Sequence, residues 1–223
     1  MIHLNNIHYR SLSIEELQIP PGITSIIGRN GSGKTTLLKI CAGILVPDSG
    51  TILIDNKVPR DEEVGWVNEF PERNILFETV GDEIASSLRF RHVPCGETDA
   101  RVHACMESMG IASLKNRSMH ELSAGEKIVV SLAAARVHDP RILVLDEFDS
   151  HLDANLAQKV ERFVRRAPAE YILRCTQDME KAARSETVIC LRNGEVVSAG
   201  KPEYVFPSLH DTSLYPISWR CRT

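Results

Sequence analysis

Residues 28–36 form a glycine-rich segment that reads Gly-Arg-Asn-Gly-Ser-Gly-Lys-Thr-Thr and satisfies the pattern G-x-x-x-x-G-K-[ST]. The run before it, residues 23–27, is mostly β-branched and is entered from Pro-Pro-Gly at residues 20–22. Such a run after a turn is typical of a buried strand. The residues after the segment have an apolar helical face, formed by Leu37, Leu38 and Ile40. A strand, a glycine-rich loop and a helix in this order predict a phosphate-binding loop.

The chemistry of this loop favours a bound nucleotide. Glycines allow the backbone to curl so that its N–H groups point inward, and the following helix adds its positive N-terminal end. Lys34 is predicted to reach the β- and γ-phosphates, and Thr35 to offer its hydroxyl to Mg²⁺. A chance Lys-Thr pair after a glycine-rich turn is the alternative. The residues predicted to contact the nucleotide are Gly28, Asn30, Gly31, Ser32, Gly33, Lys34, Thr35 and Thr36.

Two acidic residues, Asp146 and Glu147, follow a wholly apolar run at residues 142–145. A short run of this kind is typical of a central parallel strand, and ligands of open α/β sheets gather at the carboxyl ends of such strands. Phosphoryl transfer needs a carboxylate near Mg²⁺ and a group that orients the attacking water. We expect Asp146 to hold Mg²⁺ and Glu147 to polarise the water. Two solvated acids that cap a strand are the alternative.

The wider pattern predicts an α/β fold. We expect a P-loop NTPase core with a mostly parallel sheet, an N-terminal antiparallel β part and a helical subdomain insert. The insert corresponds to residues 78–138, approximately, where helical periodicity dominates. A chain of 223 residues is long enough for one such domain. We expect the domain to cover residues 1–206 and residues 207–223 to form a C-terminal tail.

Charge and hydropathy limit the functional classes. The net charge of −4 provides no overall basic footprint, so no nucleic-acid partner is expected. No apolar run approaches the roughly 18–20 residues that cross a bilayer, and the N-terminal residues do not resemble a signal peptide. We therefore expect a cytoplasmic chain that reaches a membrane only through a partner.

A third motif lies between the first two. Residues 121–127 read Glu-Leu-Ser-Ala-Gly-Glu-Lys, with Ser123 placed 23 residues before Asp146. This segment resembles the signature loop of ATP-binding cassette (ABC) proteins, usually Leu-Ser-Gly-Gly-Gln. Ala124 and Glu126 depart from that pattern, whereas Ser123 and Gly125 keep it. The three motifs, in this order and spacing, are specific to the family. The resemblance implies ATP as the nucleotide and a dimer in which Ser123 and Gly125 contact the γ-phosphate held by the other subunit.

Further segments match elements of the same family. Tyr9 resembles the aromatic residue that stacks on adenine, although an ordinary strand aromatic is nearly as good an interpretation. Residues 150–153, Ser-His-Leu-Asp, resemble the D-loop, which crosses the dimer interface. Residues 64–69 lie where the Q-loop is expected, and residues 175–178 lie where the switch loop is expected.

The last two elements depart from the family pattern. Glu69 stands where the Q-loop glutamine, a ligand of Mg²⁺, is usual, and Asn68 would take this role if the register shifted by one residue. Gln177 stands where the switch histidine is usual. A glutamine amide donates a hydrogen bond to the γ-phosphate but cannot carry the positive charge of an imidazolium. The resemblance thus assigns Glu147 and Gln177 to catalysis, and it predicts slow hydrolysis at the site built on Lys34.

Two segments are similar to one branch of the family. Residues 70–80, Phe-Pro-Glu-Arg-Asn-Ile-Leu-Phe-Glu-Thr-Val, and residues 200–206, Gly-Lys-Pro-Glu-Tyr-Val-Phe, are similar to energy-coupling-factor and cobalt/nickel-type importer ATPases. The resemblance predicts an ATP-hydrolysing transporter subunit that acts through ATP-dependent dimerisation. Its expected partners are a second ABC ATPase subunit, identical or different, and an integral membrane component that docks near residues 66–90. The altered loops fit the degenerate half of a heterodimeric pair in a vitamin or metal-ion importer. A generic cassette, a nucleotide-binding switch with little turnover and a soluble cassette unrelated to transport are the alternatives.

Overall fold

The computed structural model describes residues 1–150 and 152–220, so His151 of the predicted D-loop and residues 221–223 of the predicted tail lie outside the described part. Its strands are β1 (Ile2–Tyr9), β2 (Leu12–Ile19), β3 (Gly22–Ile27), β4 (Ser49–Ile54), β5 (Val64–Val67), β6 (Ile142–Asp146), β7 (Tyr171–Cys175), β8 (Thr187–Arg192) and β9 (Glu195–Gly200). Its α-helices are α1 (Lys34–Cys41), α2 (Val80–Phe90), α3 (Cys95–Ser108), α4 (Ala124–Arg136), α5 (Ala154–Arg165), α6 (Met179–Ala182), α7 (Pro202–Val205) and α8 (Ile217–Arg220).

The chain divides into two compact units. The first unit comprises Met1–Glu63, Val144–Glu147 and Glu170–Thr223. The second unit comprises Val64–Leu143 and Phe148–Ala169. No helix among the described residues is both long and apolar enough to cross a bilayer.

The first unit contains an antiparallel sheet with the strand order β2-β1-β4. In β1 the side chains of Ile2, Leu4 and Ile7 are buried, whereas those of His3 and Asn5 are exposed. This alternation is what a sheet with one covered face requires. The sheet is the antiparallel N-terminal part that the sequence predicts.

The second sheet of the first unit has the order β6-β7-β3-β8-β9, to which β6 contributes its last residues. Strand β3 is parallel to both β7 and β8, and β9 runs antiparallel to β8. Every residue of β6 and β7 is buried, as expected for central strands covered on both faces. The carboxyl ends of β3, β6 and β7 therefore lie at one edge of the sheet, and the loops that leave them face the same region.

The second unit is largely helical. Helix α2 packs against α3 and α4, and the short strand β5 lies beside α4. Hydroxyl side chains define the helix starts: Thr79 caps α2, and Ser123 forms a capping box with Glu126 at the start of α4. Helices α2, α3 and α4 fall within the segment for which a helical insert is predicted.

Candidate nucleotide-binding site

The glycine-rich segment is a turn of backbone between β3 and α1. Gly28, Gly31 and Gly33 all have positive φ, of 150°, 78° and 101°. At Gly28 a Cβ atom would lie 2.4 Å from the carbonyl oxygen of Leu191 and 2.6 Å from the Oγ of Ser32, so no side chain fits. The glycines are thus required by the path of the backbone, which curls before the first turn of α1.

A hairpin turn elsewhere in the chain supports this loop. The N–H of Gly194, between β8 and β9, donates to the carbonyl of Ser32 at 3.1 Å, and the N–H of Ser13 donates to the carbonyl of Gly194 at 2.8 Å. A Cβ at Gly194 would lie 1.8 Å from the carbonyl oxygen of Ser11. The turn residues Asn193 and Gly194 predict a hairpin from sequence, but nothing local in the sequence indicates that the hairpin holds the phosphate-binding loop.

Lys34 lies inside the loop. Its side chain is 6% exposed, and its Nζ donates to the carbonyls of Gly28 at 3.1 Å and Arg29 at 3.4 Å. The same Nζ lies 3.2 Å from Oε1 of Glu147. A buried ammonium needs such partners. An incoming phosphate would offer it oxygens in the same place.

Ser32 supplies a second polar atom suited to a ligand. Its Oγ is buried and has no hydrogen-bond partner among the described residues. On the outer side of the loop, a Cβ at Gly31 would meet nothing within 4 Å, so the backbone there is open to an approaching group. Of the other predicted contact residues, Asn30 and Thr35 are exposed and Thr36 is half-buried on α1. The loop therefore fits a phosphate chain in shape and in polar groups.

Thr35 and Asp146 bring two oxygen ligands together. The hydroxyl of Thr35 donates to Oδ1 of Asp146 at 3.1 Å, and Asp146 is 9% exposed at the end of β6. Hydroxyl and carboxylate oxygens suit Mg²⁺. Burial, followed by the charge of Asp146, raises the pKa of the neighbouring Cys175 thiol well above its ordinary value, so this thiol stays neutral.

Each of the two carboxylate oxygens of Glu147 contacts a different side chain. Oε1 faces Lys34, and Oε2 accepts a hydrogen bond of 2.6 Å from Nε2 of Gln177. Its backbone has φ of 50°, a left-handed conformation that non-glycine residues rarely adopt. The N–H of Glu147 donates to the carbonyl of Cys175 at 3.2 Å. Residues from the ends of β6 and β7 thus meet the phosphate-binding loop at one edge of the sheet.

Tyr9 lies at the end of β1, where it pairs with Leu12 of β2. Leu12 Cδ1 is 3.1 Å from the position a Cβ would take on Gly33, so this hairpin borders the loop. The guanidinium carbon of Arg10 lies 5.5 Å from the centre of the Tyr9 ring. The half-buried ring is therefore close to the nucleotide-binding loop in the first unit, and its stacking on adenine stays a prediction.

The remaining predicted site residues belong to the second unit. Glu69 is exposed in the bend after β5, and the Oδ1 of its neighbour Asn68 accepts a hydrogen bond from the indole of Trp66. The Ser123 hydroxyl donates to the Glu126 carboxylate at 2.8 Å and accepts from the Glu126 N–H at 3.2 Å. Hydrogen bonds from Ser123 lower the pKa of Glu126, the backbone N–H being the larger cause.

Gly125 lies in the first turn of α4, close to the next helix of the second unit. A Cβ at this position would be 2.1 Å from Cδ2 of Leu156, a residue of α5. A side chain at position 125 would therefore require the Leu156 side chain to move. Asp153, a residue of the predicted D-loop, caps α5 by accepting hydrogen bonds from the N–H groups of Asn155 and Leu156, each at 3.0 Å.

Comparison with known proteins identifies the family of this chain. A family model described as ABC transporter matches residues 12–150. The energy-coupling factor transporter ATP-binding protein EcfA1 of Lactiplantibacillus plantarum is 35% identical over 198 residues, which are 84% of this chain and 70% of that protein. The energy-coupling factor transporter ATP-binding protein EcfA of Enterococcus faecium is 32% identical over 203 residues, which are 85% of this chain and 73% of that protein.

Solved structures agree with this result. The structure of cbiO1 from Clostridium perfringens, described as part of the ABC transporter complex cbiONQ, has a TM-score of 0.84 at 27% identity and covers 92% of this chain and 90% of its own. The ATP-binding cassette MJ0796, a dimer in a post-hydrolysis state with ADP and Pi, has a TM-score of 0.79 at 24% identity and covers 91% of this chain and 99% of its own. The second match supports the fold alone.

These findings confirm the predicted α/β fold class and the resemblance to ABC ATPases of energy-coupling-factor type. They lend no support to the degenerate half of a heterodimeric pair, or to the alternatives of a switch without turnover and a cassette unrelated to transport. The chain belongs to the ABC transporter family and is one of its ATP-binding ATPase subunits.

Proposed function

We propose that this chain binds ATP with Mg²⁺ at residues 28–36 and hydrolyses it as the ATPase subunit of an importer of energy-coupling-factor type. The observation that supports this most directly is the convergence of Lys34, Thr35, Asp146 and Glu147 at the carboxyl edge of one sheet. Binding of Mg-ATP to the chain, measured by titration calorimetry, tests the proposal, and replacement of Lys34 is expected to abolish this binding.

Each of these residues has a distinct role in the proposed reaction. Lys34 exchanges its contact with Glu147 for the β- and γ-phosphates and offsets their charge. Thr35 and Asp146 would hold Mg²⁺, which supplies charge neutralisation at the phosphates when it is bound. Glu147, once released by Lys34, orients the attacking water and accepts its proton. Gln177 positions the Glu147 carboxylate and donates a hydrogen bond towards the γ-phosphate.

A second ABC ATPase subunit is part of the proposal. Ser123 and Gly125 of this chain would cover the nucleotide in the phosphate-binding loop of the second subunit. The signature segment of the second subunit would in turn cover Lys34 and the nucleotide held there. The support comes from the N-terminus of α4, whose positive helix end favours an anion. In this chain the N–H groups of Ser123 and Glu126 are bound within the capping box, so a phosphate would be left the N–H groups of Ala124 and Gly125. The solved dimer of the cassette MJ0796 is consistent with such an arrangement in a protein of this fold. Glu126 adds a negative charge beside Ser123.

A membrane component is the other proposed partner. The second unit has a cavity of about 220 Å³ lined by polar and apolar residues of β5, α2 and α4, including Trp66, Asn68 and Glu83. Oε2 of Glu83 accepts hydrogen bonds of 2.9 Å from the N–H groups of Leu76 and Phe77. The Leu76 side chain is 68% exposed, although it is apolar. Glu83 therefore joins the segment that carries the exposed Leu76 side chain to the wall of this cavity, and we place the docking surface there.

Replacing Leu76 and Phe77 together by alanine is expected to abolish co-purification with the membrane component while ATP binding is retained. The change removes apolar contact area but leaves both backbone N–H groups on Glu83. The double variant Val58→Ala/Val197→Ala removes exposed apolar side chains from the first unit and should co-purify normally. Normal co-purification of the Leu76/Phe77 variant would exclude this docking surface.

Replacing Gln177 by histidine is expected to raise ATP turnover by about tenfold or more, because an imidazolium adds positive charge where negative charge develops, and single groups of this kind contribute ~10²–10³ in rate. Steady-state phosphate release by the full chain measures the effect. Thr176→Ser, a conservative change one residue earlier in the same loop, is the matched control. A histidine variant no faster than the wild type would show that Gln177 does not limit hydrolysis.

A further inference from the structure

The C-terminal segment (residues 202–220) packs on the short helix α6, which begins two residues after Gln177. Four residues of the C-terminal segment belong to a buried cluster of the first unit that also contains Met179 and Ala182 of α6. The members contributed by the C-terminal segment are Val205, Phe206, Leu209 and Tyr215, with Leu214 and Trp219 partly buried against them. The segment is therefore part of the packed core of this unit.

A charged contact joins the two elements directly. The carboxylate of Glu180, on α6, accepts a 2.9 Å hydrogen bond from the N–H of Ser218 at Oε1 and a 2.5 Å hydrogen bond from its hydroxyl at Oε2. These two bonds lower the pKa of Glu180, the hydroxyl being the larger cause, so the carboxylate stays charged at neutral pH. Paired hydrogen bonds to a carboxylate fix orientation as well as distance.

Aromatic packing fixes Ser218 in turn. The ring of Trp219 lies 5.4 Å from that of Phe206 and 6.5 Å from that of Tyr215, centre to centre, with its plane steeply inclined to both. Phe206 is fully buried, so the adjacent helix α8 is attached to a rigid base. Ser218 therefore presents its donors to Glu180 from a defined position.

Helix α6 is also held by the sheet. Arg174 of β7 is 4% exposed, and one of its terminal nitrogens donates to the carbonyl of Lys181 at 2.6 Å. Its Nε donates to the Ser25 hydroxyl on β3 at 2.8 Å. Four residues are too few for a helix to be stable alone. The position of α6 is thus set by Arg174 at the Lys181 carbonyl and by Ser218 at the Glu180 carboxylate.

We infer that Glu180 and Ser218 are positioning residues for Gln177. Asp178, directly after Gln177, caps α6 by accepting from the N–H groups of Glu180 and Lys181 at 2.9 and 3.2 Å. A shift of α6 therefore moves Asp178 and the Gln177 amide that lies 2.6 Å from Glu147. This inference rests on the proposed function where it concerns turnover, because small misplacements of a reacting group reduce rate strongly.

Amide hydrogen exchange in the full chain tests the positioning without any nucleotide. We expect Ser218→Ala and Glu180→Ala to accelerate exchange at residues 176–182 by about fivefold or more, since local opening becomes easier. Ser208→Ala is the matched control, because the Ser208 hydroxyl binds the Val205 carbonyl within the C-terminal segment itself. Unchanged exchange at residues 176–182 in both variants would overturn the inference.

A double-mutant cycle then tests whether the effect passes through Gln177. Glu180→Ala should lower kcat for ATP about threefold to tenfold with little change in KM, and Glu180→Gln, which keeps an acceptor for Ser218, should restore part of it. In a Gln177→Ala background, Glu180→Ala should cause no further loss. Additive losses would overturn the inference. Absence of turnover in the wild type would instead overturn the proposed function, and hydrogen exchange would then decide the inference by itself.

Discussion

Replacing Lys34 by alanine should abolish measurable ATP hydrolysis by the chain and weaken ATP binding beyond detection at micromolar nucleotide. Lys34 is the buried cation within the glycine-rich loop, and its Nζ is held by two loop carbonyls and Glu147. Without it, the negative charge of the phosphates would face the Glu147 carboxylate with no ammonium group between them. We expect turnover to fall at least about 10³-fold, as when a principal stabiliser of the transferred phosphoryl group is lost.

A control variant must show that the loss of ATP binding is specific to Lys34 and does not follow from the removal of any lysine of α1. Lys39 lies on the same helix, in its last turn, and is half-buried. Lys39→Ala should bind ATP as the wild type does, by titration calorimetry with Mg²⁺ present. If Lys34→Ala bound ATP with wild-type affinity and had the same thermal unfolding curve by circular dichroism, the result would contradict both the site and the proposed function.

Replacing Glu147 by glutamine should lower turnover about 10²–10³-fold while ATP affinity is retained. The amide keeps the volume of the side chain and still accepts the hydrogen bond from Gln177, but it cannot take a proton from water. The loss of negative charge also removes the competition between Glu147 and phosphate for Lys34. We therefore expect ATP with Mg²⁺ to trap a stable dimer of this variant, with ATP held between the subunits.

Light scattering coupled to size-exclusion chromatography measures the mass of the trapped species, and phosphate release measures turnover. Glu195→Gln neutralises an exposed carboxylate on β9 of the same unit and is the matched control. This control should hydrolyse ATP at the wild-type rate and form no trapped dimer. Full activity in Glu147→Gln would show that another group orients the water, and a monomer with bound ATP would contradict the proposed dimerisation.

Much of the site is predictable because its motifs are contiguous. Residues 28–36 contain the glycines, the lysine and the hydroxyl of a phosphate-binding loop in one stretch, so the backbone path and the polar groups are encoded together. Asp146 and Glu147 are identified because a wholly apolar run of five or fewer residues predicts a buried parallel strand, and such strands end at the ligand-binding edge. The family resemblance adds Gln177, which no local chemistry distinguishes from other exposed glutamines.

Contacts between distant segments are not predictable in this way. The hairpin of Gly194 supports the phosphate-binding loop across more than 150 residues of sequence, and nothing in either segment encodes that pairing by itself. The same holds for Glu180 and Ser218 at the C-terminal segment, where the sequence pattern predicts only a tail.

The amino-acid sequence alone determined that the chain has an α/β fold, a phosphate-binding loop at Lys34 and an acidic pair at the end of a central strand. Each of these features is encoded in short contiguous stretches of sequence, by hydrophobic periodicity or by a local motif. Only the tertiary structure decided that Glu147 lies between Lys34 and Gln177 and that α6 is held by Arg174 and Ser218. The first arrangement arises from the order of strands in the sheet, which brings the carboxyl ends of β6 and β7 to the phosphate-binding loop. The second arises from packing of the C-terminal segment on α6. They are long-range contacts, whose geometry is set when the core forms.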